Sequence, residues 1–267
     1  MSDKRTLSGI KGLLLDMDGV VYRGNTPTPG ARGFFQFLRS AGIRVALITN
    51  NAQRTSRQYA EKLRGMGIFV EPEAILPAGE ATALYLSRRA RPGARVYVIG
   101  HDGLTEPLKE FGFRLTDDRP EYVVVGLDRN FTYEKLVIAC QAIRAGAHFI
   151  ASNTDATLPT ETSLLPGGGA LVAAIEVCSG VKPLVIGKPE TTMLESALAR
   201  IGVAASAAAI VGDRLETDVL AGQRAGISTI LVLTGVTTRD DMGASDIKPD
   251  YVFENLIELR AALEGAR

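Results

Sequence analysis

The sequence predicts an α/β protein, a parallel sheet with helices on both faces that carries a second, smaller α/β segment inserted into it. Three observations predict this. Short unbroken apolar runs alternate with longer amphipathic stretches along the chain. Polar residues able to do chemistry stand at the ends of four of those runs. The alternation also repeats as a set of its own between about residues 81 and 182.

The runs come in order. Gly12–Leu15 ends at Asp16, and Arg44–Ile48 ends at Thr49. Leu184–Ile186 ends at Gly187 and Lys188, Ala208–Val211 ends at Gly212 and Asp213, and Thr229–Leu233 is a fifth run. Runs that do not alternate with polar residues suit strands buried on both faces. Helical patterns over 29–41, 55–65, 190–202 and 217–226 lie between them, the last three closing on glycine. Strand and helix in alternation give a parallel sheet. The middle of the chain repeats the pattern. Its strands are expected at Arg95–Ile99, Tyr122–Val125 and His148–Ala151, and its helices at 103–111, 133–145 and 169–179. We therefore expect a core built from 1–80 and 183–267 and an inserted segment at 81–182.

Lys+Arg and Asp+Glu are both 30, so net charge gives no pull toward nucleic acid or an anionic membrane. No apolar run approaches the roughly 20 residues that span a bilayer. The polar start, Met1–Arg5, is not followed by a signal-like apolar stretch. A soluble, cytoplasmic protein with no nucleic-acid or membrane partner is expected. Cys140 and Cys178 sit among aliphatic residues and are expected as two separate small buried hydrophobes. His148, beside Phe149, is expected as a satisfied core histidine.

The carboxyl ends of parallel strands form the ligand crevice of an open sheet, so Asp16, Thr49, Lys188 and Asp213 should converge. In Asp16-Met17-Asp18-Gly19 an extended chain would project both carboxylates to one side, where they repel unless a cation such as Mg2+ sits between them. Gly19 permits a tight turn and close backbone approach to an anion. An ordinary Asp-Gly turn is the plainer alternative. Thr49, Asn50 and Asn51 offer donors to phosphate oxygens, although such residues also cap helices. Lys188 at a buried strand end requires an anionic partner; as a surface lysine before Pro189 it would not. Asp213 and Asp218 could both reach one cation, or serve a helix start. Four carboxylates alone would repel a phosphate, so the set makes sense only with a divalent cation and Lys188 present.

LLLDMDGV, LITN, GKP and GDRLETD, in this order, resemble the four motifs of the haloacid dehalogenase superfamily. The insertion between LITN and GKP is similar to the class IIA cap of the NagD-type, nitrophenylphosphatase-like and phosphoglycolate phosphatase-like branch. VVVGLD, ASNTDATLP and LLPGGGALVAAIE are similar to that branch too.

The resemblance implies a Rossmann-like core with an α/β cap, and a Mg2+-dependent phosphatase acting on small phosphate monoesters. It implies Asp16 as the nucleophile that becomes an aspartyl-phosphate, and Asp18 as general acid and base. Thr49, Asn50 and Lys188 would hold the phosphoryl group. Metal would be held by Asp16, the Asp18 backbone carbonyl, Asp213 and Asp218. Cap residues Asp128, Arg129, Asn153, Asp155 and 167–169 are candidate substrate contacts, and a homodimer through the cap is implied. A phosphonatase, a sugar phosphomutase and a non-catalytic nucleotide-binding module are the competing readings. Lys109, Lys135 and Lys182 bear on the phosphonatase, and the Gly100–Gly103 loop on the nucleotide-binding module.

Overall fold

The computed structural model describes residues 6–159 and 163–267; Met1–Arg5 lies outside the described residues. The chain forms two compact units. One comprises the chain up to Thr49 together with Tyr59–Leu76 and Lys188–Arg267; the other comprises Asn50–Gln58 and Pro77–Gly187.

The first unit holds a six-stranded sheet in the order Tyr251–Phe253, Ser228–Val232, Ala208–Gly212, Gly12–Asp16, Arg44–Thr49, Ile75–Pro77. Gly12–Asp16 is central, paired in parallel with Arg44–Thr49 on one side and Ala208–Gly212 on the other. All five of its residues are buried, which is why the run is apolar until its last position. Helix Ala31–Ser40 turns Phe34, Phe35, Phe37 and Leu38 inward. They join Leu13, Leu15, Leu47, Tyr59 and Leu63 in one core, each large side chain contributing about 1.5–3 kcal/mol by its burial. Helix Leu256–Gly265 starts on Asn255, whose Oδ1 accepts from the Ile257 and Glu258 amides.

The second unit holds a five-stranded sheet in the order Leu184–Val185, His148–Ala151, Tyr122–Val125, Arg95–Ile99, Arg114–Leu115, with every pair parallel. Ile99, Val123, Val125, Ile143, Phe149, Val172 and Ile175 form its core. Helix Tyr133–Arg144 is capped by Thr132, whose hydroxyl accepts from the Lys135 amide.

Four expectations change. The 184–186 run is not a strand of the main sheet: Leu184–Val185 pairs with Ile150 and Ala151 at the edge of the five-stranded sheet, and Leu184 is exposed. An apolar run does not say which sheet it joins. The two cysteines are not separate: a Cys140–Cys178 disulfide joins helices Tyr133–Arg144 and Gly168–Ser179. Spacing along the chain carried no sign of this, because facing helices set the pairing. His148 is exposed, and its ring stacks on Tyr122 with centroids 5.2 Å apart. The helix expected over 217–226 is a π-helical turn, Leu215–Val219, running into a short α-helix, Leu220–Arg224. No helix among the described residues is long and apolar enough to cross a membrane.

Candidate active site

In the first unit the ends of three sheet strands and one following turn bring charge together. Asp16 closes the central strand, Thr49 closes its neighbour, and Asp213 follows Ala208–Gly212. Lys188 comes from the turn after the 184–186 segment, with no strand of this sheet behind it. All four are buried. The Lys188 ammonium donates to Asp16 Oδ1 and to Asp218 Oδ1, each at 2.5 Å. Carboxylate oxygens of Asp16, Asp213 and Asp218 lie within 4.8 Å of one another.

Local structure explains the convergence. In the π turn the Val219 amide reaches back five residues to the Arg214 carbonyl. The Asp218 carboxylate folds back over the strand end, where its Oδ2 accepts from the Asp213 and Arg214 amides at 3.2 and 3.1 Å. Asp213 Oδ2 accepts from the Val236 amide at 2.7 Å. Gly19, at φ +86°, and Gly235 lie so close to the Asp213 carboxylate that a side chain at either would collide with it. Gly19 thus has a packing reason besides its turn.

Three carboxylates against one ammonium leave a negative surplus. Burial raises the Asp16 pKa well above its usual range; Lys188 opposes this, while Asp218 and Asp213 add to it. Burial, reinforced by Asp218, lifts Asp213 to about 7. Burial alone would lower Lys188, but the Asp16 and Asp218 carboxylates outweigh it and hold the ammonium protonated. The surplus is what a hard cation relieves, and an all-oxygen, carboxylate-rich donor set suits Mg2+. The residues present fit that ion.

Asp18 stands apart. The chain turns beyond Asp16, with the Val21 and Tyr22 amides both donating to the Met17 carbonyl, and the carboxylates gathered within 4.8 Å are those of Asp16, Asp213 and Asp218. The Asp18 carboxylate is exposed and accepts from the Tyr22 hydroxyl at 3.3 Å. Crowding by protein raises its pKa; Lys62 and the Tyr22 hydrogen bond act against this. Exposure and crowding pull in opposite directions here. The residue as a whole is exposed, so solvent screening tempers the rise.

In the second unit Asn50, Asn153 and Asp155 meet. Asn50 Nδ2 donates to Asp155 Oδ1 at 3.0 Å, and Asn153 Nδ2 donates to the Asn50 carbonyl at 2.7 Å. Asn51 Oδ1 accepts from the Gln53 amide. Asp128 has both oxygens engaged, by the Asn130 amide at 2.8 Å and by Lys135 Nζ at 2.7 Å. The exposed Arg129 donates its amide to His101 Nε2. Gly167 and Gly169 pack against the carbonyls of Asp155 and Thr154, with no room for a side chain. Gly103 packs equally tightly on Ala52 and Arg54 backbone, so that glycine serves packing.

A family model for haloacid dehalogenase-like hydrolases matches residues 13–114, and a second model of haloacid dehalogenase-like hydrolases matches 185–259. The chain is 42% identical to an acid sugar phosphatase of Staphylococcus aureus over 95% of its own length and 98% of the relative's. The chain belongs to the haloacid dehalogenase-like hydrolases. Among solved structures of related proteins, a 4-nitrophenylphosphatase of Thermotoga maritima is 38% identical with a TM-score of 0.92, covering 96% of this chain and 98% of that one. NagD of Escherichia coli is 34% identical with a TM-score of 0.87, covering 93% and 98%. A glycerol phosphate phosphatase of Mycobacterium tuberculosis, solved in complex with magnesium, is 36% identical with a TM-score of 0.87, covering 97% of this chain and 78% of that one.

Within this hydrolase, sequence reasoning missed Tyr22, Lys62, Gly235 and Val236. Gly235 carried a readable sign, a glycine two residues past the 229–233 run; the others carried none.

Proposed function

We propose that the protein is a Mg2+-dependent phosphatase that hydrolyses small phosphate monoesters through an aspartyl-phosphate on Asp16. The observation that carries this is Lys188, an ammonium only 3% exposed, held between Asp16 and Asp218 with Asp213 beside them. Asp16, Asp213 and Asp218, with the Asp18 backbone carbonyl, would hold Mg2+. The ion would neutralise carboxylate charge and polarise the phosphoryl oxygens.

The chain's own residues supply the rest. Asp16 attacks phosphorus, the ester P–O bond breaks, and the leaving oxygen takes the Asp18 proton. Asp18, now a carboxylate, accepts a proton from water as that water attacks phosphorus; the bond to Asp16 breaks and inorganic phosphate departs. A raised Asp18 pKa suits the acid step, and two easier steps replace one hard step. Lys188 and the Thr49 hydroxyl, with Asn50 and Asn51, are assigned to the charge on the transferring group. Asn153 and Asp155 are the second-unit residues we assign to the remainder of the ester, with Asp128 organising its loop. The acid sugar phosphatase relative makes sugar phosphates the first esters to try.

The competing readings have less support. Lys109 is exposed and paired with Glu106, Lys135 is paired with Asp128, and Lys182 is exposed, whereas a Schiff-base lysine needs desolvation. Phosphate release from 4-nitrophenyl phosphate and a panel of sugar, glycerol and glycolate phosphates tests the proposal, run with Mg2+, with chelator and with Asp16→Asn. Release that needs Mg2+ and vanishes in the variant is expected. A folded protein that releases phosphate from no ester overturns the reading. Light scattering tests the cap-mediated homodimer that the family resemblance implies.

A further inference from the structure

The turn after the nucleophile carries a residue that the reaction above does not use. Tyr22 is fully buried, yet its hydroxyl reaches Asp18 Oδ2 at 3.3 Å. A buried tyrosine hydroxyl needs a partner, and here the partner is the carboxyl that serves the leaving group.

The arrangement is built on both sides. The Gly19 amide donates to the Tyr22 carbonyl at 2.8 Å, and the Tyr22 amide donates to the Met17 carbonyl at 3.1 Å. Ring and carboxylate are thus held by one closed turn. Tyr22 also pairs with Pro27 in a short antiparallel hairpin, while Thr28 Oγ1 donates to the Val20 carbonyl at 2.5 Å. From helix Ser56–Gly65, Lys62 sets its ammonium 3.7 Å from the centroid of the Tyr22 ring. A cation over the ring face is attracted to it and draws electron density from the phenol, which makes the hydroxyl a better donor.

A carboxyl acting as an acid must present its proton on one chosen oxygen. A phenol at neutral pH keeps its own proton and donates it. The oxygen that accepts from Tyr22 is therefore the wrong place for the acidic proton. We propose that Tyr22, with Lys62 over its ring, is the positioning residue for Asp18: it engages Oδ2, commits the transferable proton to Oδ1 and fixes the rotation of the carboxyl. This rests on the assignment of Asp18 as acid and base above.

Leaving groups provide the test. A nitrophenolate departs as a weak base and asks little of an acid, whereas an alkoxide from a glycerol or sugar phosphate needs the proton. The ratio kcat/KM reports the steps up to departure of the leaving group and is blind to later hydrolysis of the intermediate. We would measure it for wild type, Tyr22→Phe, Lys62→Met, Asp18→Asn and Tyr22→Phe/Asp18→Asn. The substrates are 4-nitrophenyl phosphate and the alkyl monoester that wild type turns over best, with thermal melts to verify folding.

For Tyr22→Phe the expected loss is about 10–100-fold on the alkyl ester and under about threefold on the aryl ester. A smaller loss with the same preference is expected for Lys62→Met, and no further loss when Tyr22→Phe is added to Asp18→Asn. Equal losses on both esters, or none on the alkyl ester, would overturn the positioning role and leave the phosphatase reading intact. Wild type inactive on both esters would overturn the two together.

Discussion

In the first unit Lys188 faces Asp16 and Asp218 at 2.5 Å each, and Asp213 completes a cluster of three buried carboxylates against one ammonium. In the second unit Asp128 has a backbone amide on one oxygen and Lys135 on the other, while Asn50, Asn153 and Asp155 bond one another. Charge there is matched one to one at Asp128 and Lys135; among the described residues Ser152 Oγ is the buried side-chain atom without a partner. A carboxylate with both oxygens engaged, as in Asp128, needs nothing further and reads as scaffold. A buried surplus of one charge needs something from outside, and so it marks chemistry.

The sharpest way to break that contrast is Asp16→Asn. It should cost roughly a thousandfold or more in phosphate release while the protein stays folded; comparable activity in steady-state assays would mean the cluster is only structural. Next is Asp213→Asn. In chelator the wild type carries the surplus charge alone, so this variant should melt higher than wild type. It should also lack the rise in Tm that Mg2+ is expected to give the wild type. Paired thermal melts with Mg2+ and with chelator read both signs.

The third prediction concerns pH. Asp213 is lifted from 3.8 to about 7, and Asp16 is raised in the same direction. A carboxyl with a raised folded-state pKa binds its proton better folded than unfolded. Its contribution is therefore fully present below about pH 4 and is lost as pH rises toward 7. The metal-free protein should lose Tm from pH 5 to pH 7.5 in chelator. Mg2+ should flatten that fall, because it favours the deprotonated carboxylates. A chelated protein whose Tm is flat or rising over this window would contradict the surplus. The smallest effect is expected in the second unit. Lys135→Met leaves the Asp128 carboxylate buried beside a missing partner and should cost roughly 1–3 kcal/mol in a denaturant melt. Turnover of 4-nitrophenyl phosphate should change by less than about threefold.

Four strands of the main sheet were legible because a run such as Gly12–Leu15, buried on both faces, has no choice but to be apolar, whereas the short edge strands Ile75–Pro77 and Tyr251–Phe253 went unread. Asp16, Thr49 and Asp213 then stand out as the first polar residues after such runs. Lys188 was legible as a buried cation, but the run before it joins the other sheet, because hydrophobicity records burial and not neighbours. Helix Ala78–Ser87 went unread: Ala78, Gly79, Ala81, Thr82, Ala83 and Leu86 are all buried, so no polar stripe marks a helical period. Tyr22 went unread in the sequence. The role proposed for it involves Lys62, forty residues further along, and one-dimensional spacing does not encode such a meeting.

The π turn at Leu215–Val219 has a consequence for how the chain tolerates change. It carries one residue more than an α-helical turn would, and that residue sets the direction in which Asp218 points. Removing a single residue between Arg214 and Asp218 would let the helix close into ordinary α geometry, turning the following carboxylate by about 100° around the axis. The helix would survive and Lys188 would lose a partner. At this place the chain is specified by its length as much as by its letters, and conservative replacements should pass where a deletion does not.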